Sequence, residues 1–198
     1  MEFNNLINLE LQTKNTYLIT GGLGYIGSHI CLELLKNEND IIIIDNLSNS
    51  KIEKLDKIQE YKRINKYIGN IEFHEIDLTD YEKLDSMIEN YINKQNQNQQ
   101  QKENQNQKID IIIHLAGLKA VAESIDYPIK YYENNIVSTL NLTKIMEKYN
   151  ISNLIFSSSA TVYGTANVPY IETSQTGIGI TNPYGRSKFL QEEILKDI

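Results

Sequence analysis

Tyr184 and Lys188 are the residues whose types and spacing best suit proton transfer. A separation of four residues places both side chains on one face of a helix, and Pro183 suits the first turn of that helix. A lysine ammonium one turn away favours the phenolate form of a tyrosine, which lets the phenol act as a base near neutral pH. Taken alone, this spacing more often marks a solvated helix face, so it needs a second signal.

Three consecutive serines, Ser157, Ser158 and Ser159, follow a short apolar run. A serine at the carboxyl end of a strand lies where α/β folds bind their ligands, and its hydroxyl can hydrogen-bond a substrate hydroxyl and relay the proton to Tyr184. The spacing alone does not select one of the three. Serines at a strand end also satisfy backbone groups, which is the simpler interpretation.

A glycine-rich turn supplies the second signal. The stretch TGGLGYIGSH contains G-x-G-x-x-G at Gly22, Gly24 and Gly27, and G-x-x-G-x-x-G beginning at Gly21. Such glycines allow a sharp turn from strand to helix and let backbone N–H groups approach a pyrophosphate. The positive end of the helix dipole then faces the anion. The turn predicts a dinucleotide site.

An aspartate follows each of the next two strand-like runs. Asp45 is placed to accept hydrogen bonds from the adenosine ribose and to repel a 2′-phosphate, which favours NAD over NADP; Lys51 nearby weakens that preference. Asp77 is expected beside the adenine. The alternative is that Asp77 caps the following helix, a role open to Thr79 or Asp80 as well.

Strand-length apolar runs alternate with helix-length amphipathic stretches from residue 16 onward. The predicted strands are 17–20, 41–44, 71–76, 109–113 and 154–157, and the predicted helices are 26–36, 80–91, 133–149 and 184–198. This alternation predicts a Rossmann-type doubly wound α/β fold, in which helices cover both faces of a parallel sheet. Ligands of such folds bind at the carboxyl edge of the sheet, where the glycine turn, aspartates and serines all fall.

Two segments do not fit this alternation. Residues 1–15 are polar and rich in asparagine, and residues 93–108 (NKQNQNQQQKENQNQK) are an Asn/Gln tract. Neither can bury apolar area, so both are predicted to be disordered. The tract joins a helix to the next strand and should emerge at the amino edge of the sheet, remote from the site. Residues 16–198 are therefore predicted to form one dinucleotide-binding domain containing this insertion.

Composition narrows the functional class. The formal net charge is −7, which disfavours binding to nucleic acid or to an anionic membrane. No apolar run reaches the roughly 20 residues that span a bilayer. A single cysteine excludes an intrachain disulfide and, with few histidines, gives no reason to expect a metal site. We expect a soluble, cytoplasmic protein in which Cys31 and His114 are core residues without a catalytic role.

The motifs together resemble the extended short-chain dehydrogenase/reductase superfamily and, within it, the UDP-glucose 4-epimerase family. The matching stretches are GGLGYIGSH, DNLSNS, HLAGLKAVAES, YPIKYYENN, FSSSATVYG and NPYGRSK. They run from residue 16 to the C-terminus except across the Asn/Gln tract. The stretches AGLKAV, YYENN and SSSATVYG are far more specific than the superfamily motifs.

The resemblance implies a role at each matching position. It implies that Ser159, Tyr184 and Lys188 are catalytic, and that Ser159 and Tyr184 contact the substrate. The positions implied to contact NAD are Gly21, Gly24, Tyr25, Ile26, Gly27, Asp45, Asn46, Leu47, Ser48, Asn49, Ser50, Asp77, Leu78, Leu115, Ala116, Gly117, Leu118, Lys119, Asn134, Tyr184 and Lys188.

The implied activity is the NAD-dependent interconversion of UDP-glucose and UDP-galactose in galactose metabolism. The sugar is oxidised at C4, the 4-keto sugar turns over in the site, and it is reduced on its other face. Nucleotide-sugar 4,6-dehydratases of the same superfamily carry an Asp-Glu pair after the catalytic serine or threonine. Ala160 and Thr161 stand there and cannot do acid–base work, which argues against that alternative.

The resemblance also implies a longer protein. Relatives carry a C-terminal lobe that binds the UDP-sugar, and we expect that lobe to be absent from this chain. An NAD-binding remnant without catalysis is therefore the second hypothesis. A homodimer through the helices 133–149 and 184–198 is also implied.

Overall fold

The computed structural model describes residues 14–99 and 108–198 and contains a five-stranded parallel sheet in the order β3-β2-β1-β4-β5. The strands are β1 Thr16–Thr20, β2 Asp40–Asp45, β3 Ile71–Glu75, β4 Ile111–His114 and β5 Leu154–Phe156. The helices are α1 Tyr25–Lys36, α2 Glu53–Asn65, α3 Tyr81–Gln99, α4 Val121–Asp126, α5 Pro128–Tyr149 and α6 Pro183–Asp197, with a 3₁₀ helix at Ala160–Tyr163. The predicted Rossmann-type doubly wound α/β fold is confirmed. No helix in the described ranges is long and apolar enough to cross a bilayer.

The central strands are apolar at successive positions because both faces of the sheet are covered. Successive side chains of a strand point to opposite faces, so Ile42 and Ile44 of β2 join a core with α3 and α5. Ile41 and Ile43 join a second core with α1 and α2. Cys31 is fully buried in this second core, which confirms its interpretation as a core residue.

Two helices were not predicted from the sequence. Helix α2 is strongly polar and buries only Ile58 among its residues, so its apolar periodicity is weak. Helix α4 has six residues, too few to show a period. Helix α5 begins at Pro128, before the predicted residue 133, with proline in its first turn.

The Asn/Gln tract is only partly as predicted. Helix α3 continues to Gln99, so residues 93–99 are helical, and the prediction that they are disordered is wrong. An established helix adds residues at low cost, and glutamine loses little side-chain freedom in it. Residues 100–107 lie outside the described part of the chain.

The folded domain begins slightly earlier than predicted. Lys14 forms an ion pair with Asp40, with Nζ and Oδ1 2.9 Å apart. The N–H of Asn15 donates to Asn39 Oδ1 at 3.0 Å, and Asn15 O accepts from the N–H of Asp40 at 2.9 Å. These two residues therefore belong to the domain, while the rest of the predicted extension, residues 1–13, lies outside the described residues.

The strand register aligns the ends of the strands that build the site. Thr20 at the end of β1 is paired with Ile44 on one side and with His114 on the other, and His114 is paired with Phe156. The residues that follow these positions therefore leave the sheet at the same carboxyl edge.

Candidate active site

A cavity of about 390 Å³ lies along the carboxyl edge of the sheet. It is lined by all of the predicted site residues except Leu47 and Ser159. Ser157 and Ser158, which the spacing had left open as alternatives to Ser159, also line it. Four further lining residues carried no predicted role in the site, and they are Ile44, Lys54, Ile76 and Ser138.

The glycine turn after β1 has the geometry of an anion cradle. Gly21 has φ +68°, a left-handed conformation that favours glycine. A Cβ on Gly27 would lie 2.4 Å from Gly21 O, and one on Gly24 would lie 3.0 Å from the same oxygen. Gly24 has no side chain with which to cap α1, so the first N–H groups of the helix remain available to an anion.

Asp45 connects the glycine turn to the loop after β2. Its Oδ2 accepts from the N–H of Leu23 at 3.0 Å, and its Oδ1 accepts from the N–H of Leu47 at 3.0 Å and from Ser50 Oγ at 2.7 Å. A carboxylate has about four acceptor positions, so the ion retains capacity for a ribose hydroxyl. Leu47 itself packs against the core cluster that contains Ile43, which removes it from the cavity lining.

Asp77 lines the cavity and does not cap a helix. Its Oδ2 accepts from Asn46 Nδ2 at 2.9 Å, and its Oδ1 accepts from the backbone N–H and the hydroxyl of Thr79 at 2.9 and 2.7 Å. Partial burial favours the neutral carboxyl, but the hydrogen bonds from Thr79 and Asn46 outweigh it and lower the pKa of Asp77. Asp80 caps α3 by accepting from the N–H of Lys83 at 3.2 Å, so the capping alternative for Asp77 is wrong.

Helix α6 brings Tyr184 and Lys188 to the cavity together. It begins after Asn182, whose Oδ1 accepts from the N–H of Gly185 at 2.8 Å. Lys188 is only 4% exposed. Its Nζ donates to Ser157 O at 3.0 Å.

The Lys188 ammonium is buried next to an aromatic ring. Its Nζ lies 4.6 Å from the centroid of the Phe156 ring. Burial lowers the pKa of Lys188 from 10.5 to about 8, and the Glu192 carboxylate partly opposes this. A buried cation acts through a low-dielectric medium, which strengthens its electrostatic effect on neighbouring groups.

The three serines have different positions. Ser157 and Ser158 line the cavity, whereas Ser159 begins the 3₁₀ helix. Ser159 Oγ accepts from the N–H of Thr161 at 3.2 Å and lies 2.9 Å from Thr161 Oγ1. Ser158 Oγ donates to Glu192 Oε1.

A buried asparagine, Asn135 of α5, joins the cavity wall to α6. Its Nδ2 donates to Ser187 Oγ at 2.9 Å and to Leu118 O at 3.1 Å, and its Oδ1 accepts from the N–H of Leu118 at 2.8 Å. Ser187 precedes Lys188, so this residue couples the loop 115–119 to the helix with the Tyr–Lys pair. The second asparagine of YYENN was its only signal in the sequence.

His114 is a hydrogen-bonded core residue, as predicted. Its Nδ1 lies 2.8 Å from Thr20 Oγ1 and its Nε2 lies 3.0 Å from Thr139 Oγ1. The Thr20 hydroxyl accepts from the N–H groups of Leu115 and Ala116, which assigns its proton to His114 Nδ1 and the ring proton to Nε2. Complete burial, with a smaller effect of the nearby Lys188 charge, lowers the pKa of His114 to about 3.

The sheet order, the glycine turn after β1 and the acidic residue after β2 define a Rossmann-type dinucleotide-binding domain. Tyr184 and Lys188 of the helix after β5 lie at the mouth of its cavity. The NAD dependent epimerase/dehydratase family matches residues 17–198, and the chain belongs to this family.

The chain is similar to UDP-glucose 4-epimerases of several organisms. The enzyme of Bacillus subtilis (strain 168) is 44% identical over 181 residues, covering 91% of this chain and 47% of that protein. The enzyme uge1 of Schizosaccharomyces pombe is 43% identical over 189 residues, covering 93% of this chain and 47% of that protein. The crystal structure of the Bifidobacterium longum enzyme in complex with NAD+ and UDP has a TM-score of 0.76 at 42% identity, covering 92% of this chain and 48% of that chain. The predicted resemblance is confirmed, and the chain spans about half the length of the curated relatives it matches.

Proposed function

We propose that the chain forms the NAD-binding and catalytic half of a UDP-glucose 4-epimerase, which interconverts UDP-glucose and UDP-galactose. The observation that carries the proposal is that Tyr184 and Lys188 line the same cavity as the glycine turn and Asp45. The half-length match to UDP-glucose 4-epimerases supports it.

The residues present fit NAD. The glycine turn packs too closely on its own backbone to admit a Cβ at Gly27. The N–H groups at the start of α1, which no side chain caps, would bind the pyrophosphate. Asp45 would accept from the adenosine ribose, and Lys188 from α6 would contact the ribose of the nicotinamide half. When bound, NAD supplies the hydride acceptor and donor for the sugar C4.

Proton transfer is the part that the chain's own residues perform. Tyr184 Oη takes the proton from the C4 hydroxyl and later returns it, and the Lys188 ammonium stabilises the phenolate. Because the pKa of Lys188 is about 8, the ammonium remains mostly protonated at neutral pH. Ser159 is proposed to hydrogen-bond the substrate hydroxyl and relay its proton to Tyr184.

The residues after Ser159 favour epimerisation over dehydration. Ala160 and Thr161 begin the 3₁₀ helix next to the serines, and neither is an acid or base that could eliminate water. A second candidate function is NAD binding without turnover, for which the cavity lined by the glycine turn and Asp45 is sufficient.

The assembly and location of the protein are also proposals. A homodimer through α5 and α6 is supported by Leu140 and Leu190, which are apolar and exposed on those helices. A cytoplasmic location is supported by a single cysteine, Cys31, which is buried and reduced.

The test measures NAD binding by calorimetry and conversion of UDP-galactose to UDP-glucose by the purified chain. Tyr184→Phe should retain NAD affinity and reduce turnover by at least ~10²-fold, whereas Tyr61→Phe, an exposed tyrosine of α2, should change neither. Normal turnover by Tyr184→Phe would contradict the assigned proton transfer. NAD binding without turnover in the unmodified chain would favour the second candidate, and absence of NAD binding would refute both.

A further inference from the structure

Glu192 is a carboxylate that lies next to the proposed catalytic pair and has no part in the mechanism above. It follows Lys188 by one turn of α6, which places both side chains on one face of the helix. It is half-buried, and its Oε1 accepts from Ser158 Oγ.

Two side chains one turn apart on α6 bind the two residues that directly follow β5. Lys188 Nζ donates to Ser157 O at 3.0 Å, and Glu192 accepts from the side chain of the adjacent Ser158. The cation and the anion thus bind consecutive residues of the segment that leads to Ser159. This arrangement ties the position of the helix to the position of the serine loop.

We propose that Glu192 is a positioning residue for the Tyr184–Lys188 pair, which holds Ser158 and supplies the counter-charge that keeps the buried Lys188 ammonium protonated. The positioning role in catalysis rests on the proposed function. The effect of the Glu192 charge on Lys188 does not depend on it.

The other groups around Lys188 do not provide this charge. His114 of β4 is neutral, Phe156 of β5 presents its ring, and Ser157 presents a carbonyl. Tyr184 precedes Lys188 by one turn on the same helix. Among the described residues, Glu192 is the carboxylate whose charge acts on Lys188, where it raises a pKa that burial lowers.

The next residue, Glu193, is a matched control. It is exposed on the same helix and pairs with Lys196, with Nζ and Oε1 2.6 Å apart. Glu193→Gln therefore removes the same charge from the same helix without changing the surroundings of Lys188.

The test is titration of Lys188 by ¹³C NMR in the lysine-labelled chain, with the resonance assigned by its loss in Lys188→Met. Glu192→Gln keeps an acceptor for Ser158 but removes the charge, and it should lower the pKa of Lys188 by roughly one unit. Glu192→Asp, which restores the charge, should keep the pKa near that of the unmodified chain, and Glu193→Gln should leave it unchanged. An unchanged Lys188 pKa in a folded Glu192→Gln chain overturns the proposal, as does an equal shift in Glu193→Gln.

NAD binding measured on the same samples separates this claim from the proposed function. A lowered Lys188 pKa in Glu192→Gln, in a chain that does not bind NAD, would uphold the counter-charge and refute the epimerase proposal. NAD binding with an unchanged Lys188 pKa would overturn only the role of Glu192. In an active protein, Glu192→Gln should also move the fall of kcat/KM with rising pH to a pH about one unit lower, because Lys188 then loses its proton earlier.

Discussion

Replacement of Lys188 by methionine is expected to stabilise the chain at neutral pH, although it removes the ammonium from the site. The side chain is 4% exposed, and its pKa is lowered from 10.5 to about 8 because burial disfavours the charged form. Methionine has a similar unbranched shape and no charge to desolvate.

The magnitude follows from the lowered pKa. At about 1.4 kcal/mol per pKa unit, the buried ammonium costs about 3 kcal/mol of stability. The variant loses the hydrogen bond to Ser157 O, worth about 1 kcal/mol. A net gain of about 2 kcal/mol in the free energy of unfolding is therefore expected at pH 7.

The sign of the pH dependence distinguishes this cause from better packing. Between pH 8 and 10.5 the unfolded chain binds more protons at Lys188 than the native chain does, so the stability of the unmodified protein rises with pH through this window. The penalty is fully present below pH 8 and lost above 10.5. The advantage of the methionine variant should therefore be largest near pH 7 and should shrink by pH 10.

Urea unfolding followed by circular dichroism at pH 7 and pH 10 checks this expectation. Lys196→Met is the control, since Lys196 is an exposed lysine of the same helix, and it should change stability by less than about 0.5 kcal/mol. A Lys188→Met chain that is less stable at pH 7, or that shows the same difference at both pH values, would refute the reasoning.

Two further predictions follow from the glycine turn and from the buried histidine. Gly27→Ala should cost about 1–3 kcal/mol and weaken NAD binding at least about tenfold, because its Cβ would meet Gly21 O at 2.4 Å and Gly22 Cα at 2.7 Å. Thermal melts measure the stability and calorimetry measures the NAD affinity. If both are unchanged, the turn accommodates the Cβ and the reasoning is wrong. His114→Gln should make the chain less sensitive to acid: the pKa of His114 is about 3 against 6.5, so the unmodified chain loses stability as the unfolded state takes up a proton below pH 6.5. Urea midpoints at pH 7 and 4.5 should show the difference, and equal losses in both chains would exclude this role of His114.

The strands and the carboxyl edge were predictable because they depend on local patterns. Runs of isoleucine such as Ile41–Ile44 are apolar at every position only when both faces of a sheet are covered, and the glycine turn has a geometric requirement that few sequences meet. Helix α2 was not predicted because it buries only Ile58 and therefore shows no clear apolar periodicity. The helical conformation of residues 93–99 was not predicted either, because the composition of the Asn/Gln tract does not show that the preceding helix continues into it.

The site was predictable as a set of positions but not as a set of contacts. Asp45 was predicted as a ribose ligand, and the structure adds its bond to the N–H of Leu23 in the glycine turn. Asn135 and Ser187 meet only because α5 packs beside α6. The sequence does not distinguish these two side chains from exposed asparagines and serines, because their burial depends on how the two helices pack.

The sequence was sufficient to predict the alternation of strands and helices, the phosphate-binding turn and the four-residue spacing of Tyr184 and Lys188, because each depends on neighbours within a few residues. The packing of the folded chain was needed to show which polar groups lie in the interior and what they contact. Glu192 lies beside Ser158, and the charge of Lys188 is enclosed by β5 and α6. Desolvation and long-range hydrogen bonds depend on the packing of distant segments, and these set the protonation states of the site.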